Sequence, residues 1–386
     1  VIEAPGVAAV WDALPEARIV GGAVRDHLAG LAISDVDFAA PLTPEAVIAR
    51  LERAGLKVVP TGLSHGTVTA MAAGKGFEVT TLRRDVATDG RHAVVAFTDD
   101  WAVDASRRDF TINAMSATRD GAVFDYFGGR EDLATGRVRF VGVARARIAE
   151  DYLRILRYFR FFARYGTAAP DDEAIAAIRA LHAGIAQLSA ERVWAELKRI
   201  LAACDPRHAL VLMQETGVLP LIVPGARVER VAALVEGGAP GSALLRAAAL
   251  IGPDVEAFAE RWKLSGAERE MLEALGAMNS LTPDCDDAGL RRALAREPAE
   301  ILVMRSWLAG DGSAGWDELR RRIAGVERPV FPLLGRDVTG LGVPPGPLVG
   351  EILREVEAWW MAGGCVADAR GCLDYAARIS DREPGA

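Results

Sequence analysis

Arg18-Ile-Val-Gly-Gly-Ala-Val-Arg-Asp26, followed by Ser34-Asp-Val-Asp-Phe38, is the most informative stretch of this 386-residue chain. The apolar run Ala17 to Val20 predicts a short strand that ends in Gly21-Gly22. A helical stretch from Val24 to Leu28 follows, and Val36 to Ala39 reads as a second strand. Two glycines at a strand end let the backbone approach a bulky anion, because neither carries a Cβ. Amides at such a turn favour phosphate, and Arg25 is placed to fork onto one. Asp35 and Asp37 are two residues apart in an extended segment, so their side chains should share a face. Neighbouring carboxylates repel, and a divalent cation offsets that cost. Mg²⁺ takes one or two carboxylates together with phosphate oxygens and water, and two such ions can activate an attacking hydroxyl and steady a leaving pyrophosphate. Glu78, on a further strand, is the candidate third carboxylate. Singly, a DxD or a GG turn is more often structural than functional; together they point to nucleotide chemistry. Gly21-Gly22-Ala-Val-Arg25 does not satisfy GxGxxG, which argues against a dinucleotide-binding turn.

Outward from this stretch, Thr43 or Pro44 opens a helix that runs to about Ala54. Lys57 to Pro60, Thr67 to Ala72 and Phe77 to Leu82 read as strands, and Arg83 to Ser106 reads mostly as loop. From Arg145 onward the pattern is helical. Arg147 to Tyr165, Asp172 to Ala183, Ala190 to Ala203 and Arg207 to Thr216 carry apolar residues at three-to-four spacing. Pro220 to Pro224 reads as a break, and more helices follow through Val326. A Pro/Gly-rich segment then precedes a last helical stretch, Leu348 to Ala362. The fold class expected is α+β: an N-terminal head with a small mixed β-sheet and helices, then an all-α remainder. The expected domains are 1–140, 141–205, 206–327 and 328–386.

Composition narrows the function less than the motifs do. The formal net charge is −8, whereas proteins that coat nucleic acid are usually basic. A local basic groove on an acidic body remains compatible with that balance. Nearly all the positive charge is arginine, the lysines being Lys57, Lys75, Lys198 and Lys263. Cys204, Cys285, Cys365 and Cys372 form no CxxC, and the five histidines show no paired metal spacing. Neither a signal-peptide pattern nor a membrane-length apolar run is present, so a cytoplasmic protein without membrane association is expected.

Three blocks together resemble one family. Val20-Gly-Gly-Ala-Val-Arg-Asp26 with Asp35-Val-Asp37, then Arg107-Arg-Asp-Phe-Thr-Ile-Asn-Ala-Met115, then Glu150-Asp-Tyr-Leu-Arg-Ile-Leu-Arg-Tyr-Phe-Arg-Phe161 look like bacterial tRNA nucleotidyltransferases and the related poly(A) polymerases. Ala190 to Leu197 and Leu334 to Pro347 are looser matches. The resemblance implies a nucleotidyltransferase head, a helical neck with a base-selecting helix, a helical body and an RNA-binding tail. It implies that Gly21, Gly22, Arg25, Arg108, Asp109, Asn113, Arg157 and Arg160 serve the nucleotide, with Asp35 and Asp37 holding Mg²⁺.

Asp151, Arg154, Arg157 and Arg160 recur every third residue among large apolar side chains. Guanidiniums on so apolar a helix are costly unless they meet acceptors, and ion pairs to the protein's own carboxylates are one way to supply them. Base reading is another. Asp151 can only accept and Arg154 can only donate. Cytosine and adenine each offer an amino donor beside a ring acceptor; uracil and guanine offer the reverse. One Asp–Arg pair can thus accept C and A, and mispairing would cost ~1–3 kcal/mol per unmet group. The resemblance implies the same template role. The expected reaction is addition of C, C and A to the tRNA 3′ end from CTP and ATP, with tRNA held by its acceptor arm. A flexible loop at Arg83 to Ala105 favours full CCA addition by the same resemblance. A poly(A) polymerase is the alternative. Pro60 to Thr67 lacks the basic segment expected there, which favours the tRNA enzyme. A non-catalytic RNA-binding relative is the further alternative, and the intact Asp35–Asp37 pair argues against it.

Overall fold

The computed structural model describes residues 5–89, 92–278 and 281–380. The chain opens with α1 (Pro5–Ala13), then β1 (Arg18–Val20), α2 (Gly22–Leu28), β2 (Asp37–Ala40) and α3 (Pro44–Arg53). Next come β3 (Lys57–Gly62), β4 (Thr67–Ala72), β5 (Lys75–Thr81), β6 (Arg83–Asp89) and β7 (His92–Phe97). Helix α4 (Trp101–Ser106) and the short strands β8 (Ser116–Ala117) and β9 (Val123–Phe124) follow.

Seven strands form one sheet in the order β3-β4-β5-β2-β1-β8-β9. β2 and β5 run parallel while the other pairs are antiparallel, so the sheet is mixed, as the sequence predicts. Strand alternation sends Ile19, Phe38 and Val79 to one face, where Val7, Val10, Trp11, Val47 and Leu51 cover them. Burial of each such side chain contributes ~1.5–3 kcal/mol. The covering helix α1 was not foreseen from sequence. The opposite face carries the small apolar cluster Val20, Ala39, Leu82 and Trp101. Thr43 caps α3 through its hydroxyl, which accepts from the Ala46 amide.

Helices α5 (Gly129–Thr135), α6 (Ala144–Glu150), α7 (Leu153–Tyr165), α8 (Asp172–Leu181), α9 (Ala190–Leu201), α10 (Arg207–Glu215) and α11 (Val218–Ile222) complete a first unit spanning Val1–Ala226 and Arg261–Lys263. The second unit, Arg227–Glu260 and Leu264–Ala386, is helical in its described secondary structure. It has one core drawn from 281–323 and another from 333–379. No described helix is long and apolar enough to cross a membrane.

Four expectations need correction. Arg83 to Ser106 is not mostly loop: β6 and β7 form a two-stranded hairpin and α4 follows. Its ladder shifts register between Asp85 and Ala87, which breaks the alternation that would have revealed it. Gly90 and Arg91 lie outside the described residues. The expected helix Arg147 to Tyr165 is two helices, because Asp151 adopts an extended backbone (φ −157°) and its carboxylate accepts from the Leu153 amide at 3.0 Å. Pro220 lies inside α11 rather than in a break; in so short a helix it falls in the first turn, where its missing N–H costs nothing. Finally, Ala369–Ser380 is a further helix beyond the one expected to be last.

Candidate active site

The open face of the sheet gathers the three predicted carboxylates. Phe38 pairs with Val79, so one step back along the parallel register sets Asp37 beside Glu78. Both are exposed, while their neighbours Phe38 and Val79 turn into the core. Asp35 sits just before β2 rather than within it, a correction to the shared-strand expectation, yet it remains close enough to act on Asp37. The surrounding protein shields the Asp37 carboxyl and pushes it above its usual range; repulsion from Glu78 and then Asp35 adds to this, and Arg108 opposes it. Like charges crowded on hard oxygen donors are a fitting seat for a divalent cation. Among the described residues no group of three His, Cys, Asp or Glu forms a finished metal cage. A cation held by one or two carboxylates draws its remaining ligands from phosphate and water.

The two glycines differ. Gly21 has φ +66° and ψ −122°, a conformation closed to side-chain-bearing residues, and a Cβ there would meet Arg108 Nη1 at 3.0 Å. At Gly22 a Cβ would meet only Arg25 Nη2 at an ordinary 3.5 Å. Arg108 thus lies over the turn. Its Nη2 reaches Asp104 Oδ2 at 3.3 Å and its Nη1 the Asn113 carbonyl at 3.4 Å. Asp104 is buried and also accepts from Arg107 at 2.9 Å; burial pushes its pKa up, but Arg107 and Arg108 hold it below the usual range.

Arg25 lies beside the Gly22 backbone. It is 7% exposed and committed: Nε donates to Asp26 at 2.9 Å and Nη1 to Asn113 Oδ1 at 2.6 Å. Its guanidinium lies 4.6 Å from the Tyr165 ring. These contacts tie Arg25 to Asp26 and Asn113 beside the turn. Asn113 passes the chain of contacts on, donating from Nδ2 to Asp109 Oδ1 at 3.0 Å. Asp109 Oδ2 accepts from Arg157 Nε at 2.7 Å. Burial alone would raise the Asp109 carboxyl, but Arg157 and the bonds from Asn113 and the Phe110 amide lower it. Asp109 is therefore a buried link between the head and α7.

Asp151 and Arg154 stay half-buried at the start of α7, and each has its own partner. Asp151 Oδ2 accepts from Arg192 at 2.7 Å. Arg154 Nη1 donates to the Arg147 carbonyl at 2.8 Å and pairs with Glu150. Its Nε and Nη2 bond no described residue and remain available as donors. Further along, Arg160 Nε lies 2.9 Å from Glu196 but off the hydrogen-bonding angle; burial lowers its pKa to about 10. Arg157 and Arg160 are thus paired with protein carboxylates, as the ion-pair reading of this helix has it. Glu150, Arg192, Glu196 and Asp104 were missed by sequence reasoning. Glu150, beginning the EDxLR run, and Arg192, within Ala190 to Leu197, lay inside blocks already singled out; Asp104 carried no signal.

Comparison with known proteins fits this geometry. Residues 17–139 match the poly A polymerase head domain, and 169–229 match the probable RNA and SrmB-binding site of polymerase A. The mouse mitochondrial CCA tRNA nucleotidyltransferase 1 is 38% identical over 93% of this chain and 86% of its own. The CCA-adding enzyme of Geobacillus stearothermophilus is 34% identical over 90% of this chain and 88% of its own. The crystal structure of the Bacillus stearothermophilus CCA-adding enzyme in complex with CTP superposes with a TM-score of 0.76 at 27% identity, covering 98% of both chains. With the carboxylates, the glycine turn and the Asp151–Arg154 helix all in place, the chain belongs to the family of CCA-adding tRNA nucleotidyltransferases.

Proposed function

We propose that this chain adds C, C and A to the 3′ end of tRNA from CTP and ATP, releasing pyrophosphate. The observation that carries this reading is the meeting of Asp35, Asp37 and Glu78 beside the Gly21 turn on the open face of the sheet. Asp35 and Asp37, with Glu78 in reach, would hold Mg²⁺, which when bound neutralises phosphate charge and lowers the pKa of the primer hydroxyl. Arg108 contributes a positive charge over the turn, where a triphosphate can lie. Gly21 keeps the backbone clear of it. Asp151 accepts from the amino group of C or A, and the free donors of Arg154 meet the ring nitrogen. Arg192 and Glu150 hold these two side chains in place. Positioning and charge neutralisation supply the acceleration, with no side-chain nucleophile.

In the second unit, a cavity of about 970 Å³ is lined by Arg292, Arg296, Arg328 and Arg354, with Glu357 as its acidic member. This local basic groove supports a role in gripping tRNA despite the net charge of −8. The separate cores around 281–323 and 333–379 favour the body and tail division near residue 328, within the four-domain scheme of head, neck, body and tail. The cytoplasm is the compartment we assign, and cell fractionation checks it.

The test is to offer purified protein a tRNA ending before CCA, with each NTP alone and together. Ordered addition of C, C and A that then stops supports the reading. A growing A tail would instead favour the poly(A) polymerase suggested by the head-domain match.

A further inference from the structure

Beside the carboxylates, on the same face of the sheet, lies a cluster that the reaction above does not use. Val20 pairs with both Asp37 and Ser116, and Ser116 pairs with Phe124. Cross-strand partners share a face, so one row crosses the sheet from Asp37 to Phe124. Arg18, two residues before Val20, points the same way. Its guanidinium lies 3.7 Å from the Phe124 ring centroid and 4.1 Å from that of Trp101, and its Nη1 donates to the Tyr126 hydroxyl at 3.3 Å. Trp101 rests its other side on Val20, Ala39 and Leu82.

Two features mark this cluster as more than packing. Among the described residues Arg18 forms no ion pair with a carboxylate, although the neighbouring face is acidic. The acids next in sequence to the rings are occupied: Asp125 by the Phe127, Gly129 and Arg130 amides, and Asp100 by the Ala102 and Val103 amides. Tyr126 is 41% exposed, an aromatic ring left open to solvent at the rim. An unneutralised planar cation among three aromatic rings suits a nucleobase and its phosphate, since bases stack on such groups irrespective of sequence.

We infer that Phe124 and Tyr126, backed by the Arg18 guanidinium and Trp101, form a stacking platform for an unpaired nucleotide of the RNA primer. The spacing suits it. At ~4.8 Å per strand and ~3.4 Å per residue, the platform's backbone lies roughly 8–14 Å from Asp37. Stacked nucleotides rise ~3.4 Å each, so the platform receives a base two to four positions from the reacting 3′-hydroxyl. This rests on the reading that the chain extends an RNA primer. It adds where the single-stranded end is held, and it predicts tolerance of base identity there.

The experiment uses the full-length protein and a tRNA already ending in CC, with 2-aminopurine at the unpaired position next to the acceptor stem, the third base from the reacting hydroxyl. Stacking quenches that base. Tyr126→Ala and Arg18→Gln should each raise KM for this tRNA about tenfold and reduce the quench, while KM for ATP and Tm stay near wild type. An unchanged tRNA KM and quench would overturn the platform. So would a parallel loss of tRNA and ATP affinity with a lowered Tm, because that marks a merely structural tie. Wild-type protein adding C, C and A serves as the baseline. If the baseline itself failed, the proposed function would fall; if only the variants behaved as wild type, the platform alone would.

Discussion

At the scale of single residues, the account turns on which side chains are free and which are spoken for. Asp151 has one oxygen on Arg192 and the other on the Leu153 amide, each with acceptor capacity left, and Arg154 keeps Nε and Nη2 unbonded. Replacing either by alanine should therefore relax base choice more than it slows transfer. Ratios of kcat/KM for CTP and ATP against UTP and GTP should fall about tenfold, the effect of ~1–3 kcal/mol of lost discrimination. Arg192→Ala should act in the same direction but more weakly, since it only steadies Asp151. Identical ratios in all three variants would rule out the template. The sequence revealed the acceptor–donor logic of Asp151 and Arg154, because donor and acceptor capacity belongs to the residue type. It hid the surroundings of Arg25, because nothing in a linear string tells that this arginine bonds both a neighbouring Asp26 and a distant Asn113.

Among elements, the link from α2 through the Thr111–Asn113 turn to α7 holds the carboxylate face against the base-reading helix. Asp109 is buried with its pKa held down mainly by Arg157, so its contribution to stability is fully present above the usual carboxylate range near 3.8. That contribution is lost as pH falls through the lower folded-state value. Arg157→Ala would strand the carboxylate, costing ~3–5 kcal/mol at pH 7. With its partner gone, burial would raise the Asp109 pKa, and protonation on acidification would relieve the charge. Urea melts should thus show a large deficit for the variant at pH 7 that shrinks by pH 4. A deficit independent of pH would contradict the assignment. Periodicity exposed the helices on either side of this link, since apolar spacing reports burial. It did not expose the break at Asp151, where a carboxylate caps α7 with no glycine or proline to mark the stop. The β6–β7 hairpin was hidden for a related reason: with its ladder shifted at Asp85 to Ala87, it carries no clean alternation.

For the molecule as a whole, an acidic protein must bind an acidic polymer, and the charges have to be sorted into patches. The cavity lined by Arg292, Arg296, Arg328 and Arg354 is one such patch. Changing Arg296 and Arg328 together to glutamine should weaken tRNA binding without altering nucleotide choice. It should also flatten the salt dependence by about one to two units of slope, one for each phosphate that is no longer neutralised. Filter binding across a salt series measures this, and an unchanged slope would exclude the patch. The head and its open face could be foreseen because their motifs are compact in sequence. This patch could not, because its arginines are scattered between residues 292 and 354 and meet only after helices pack. All of it serves one chemical centre. The most direct measurement is single-turnover incorporation of CMP into a tRNA ending before CCA, comparing wild type with Asp35→Asn and Asp37→Asn at equal tRNA occupancy. Each variant should lose at least about a hundredfold in rate while keeping the wild-type Tm. Incorporation at the wild-type rate by either one would contradict the placement of the chemistry at these carboxylates.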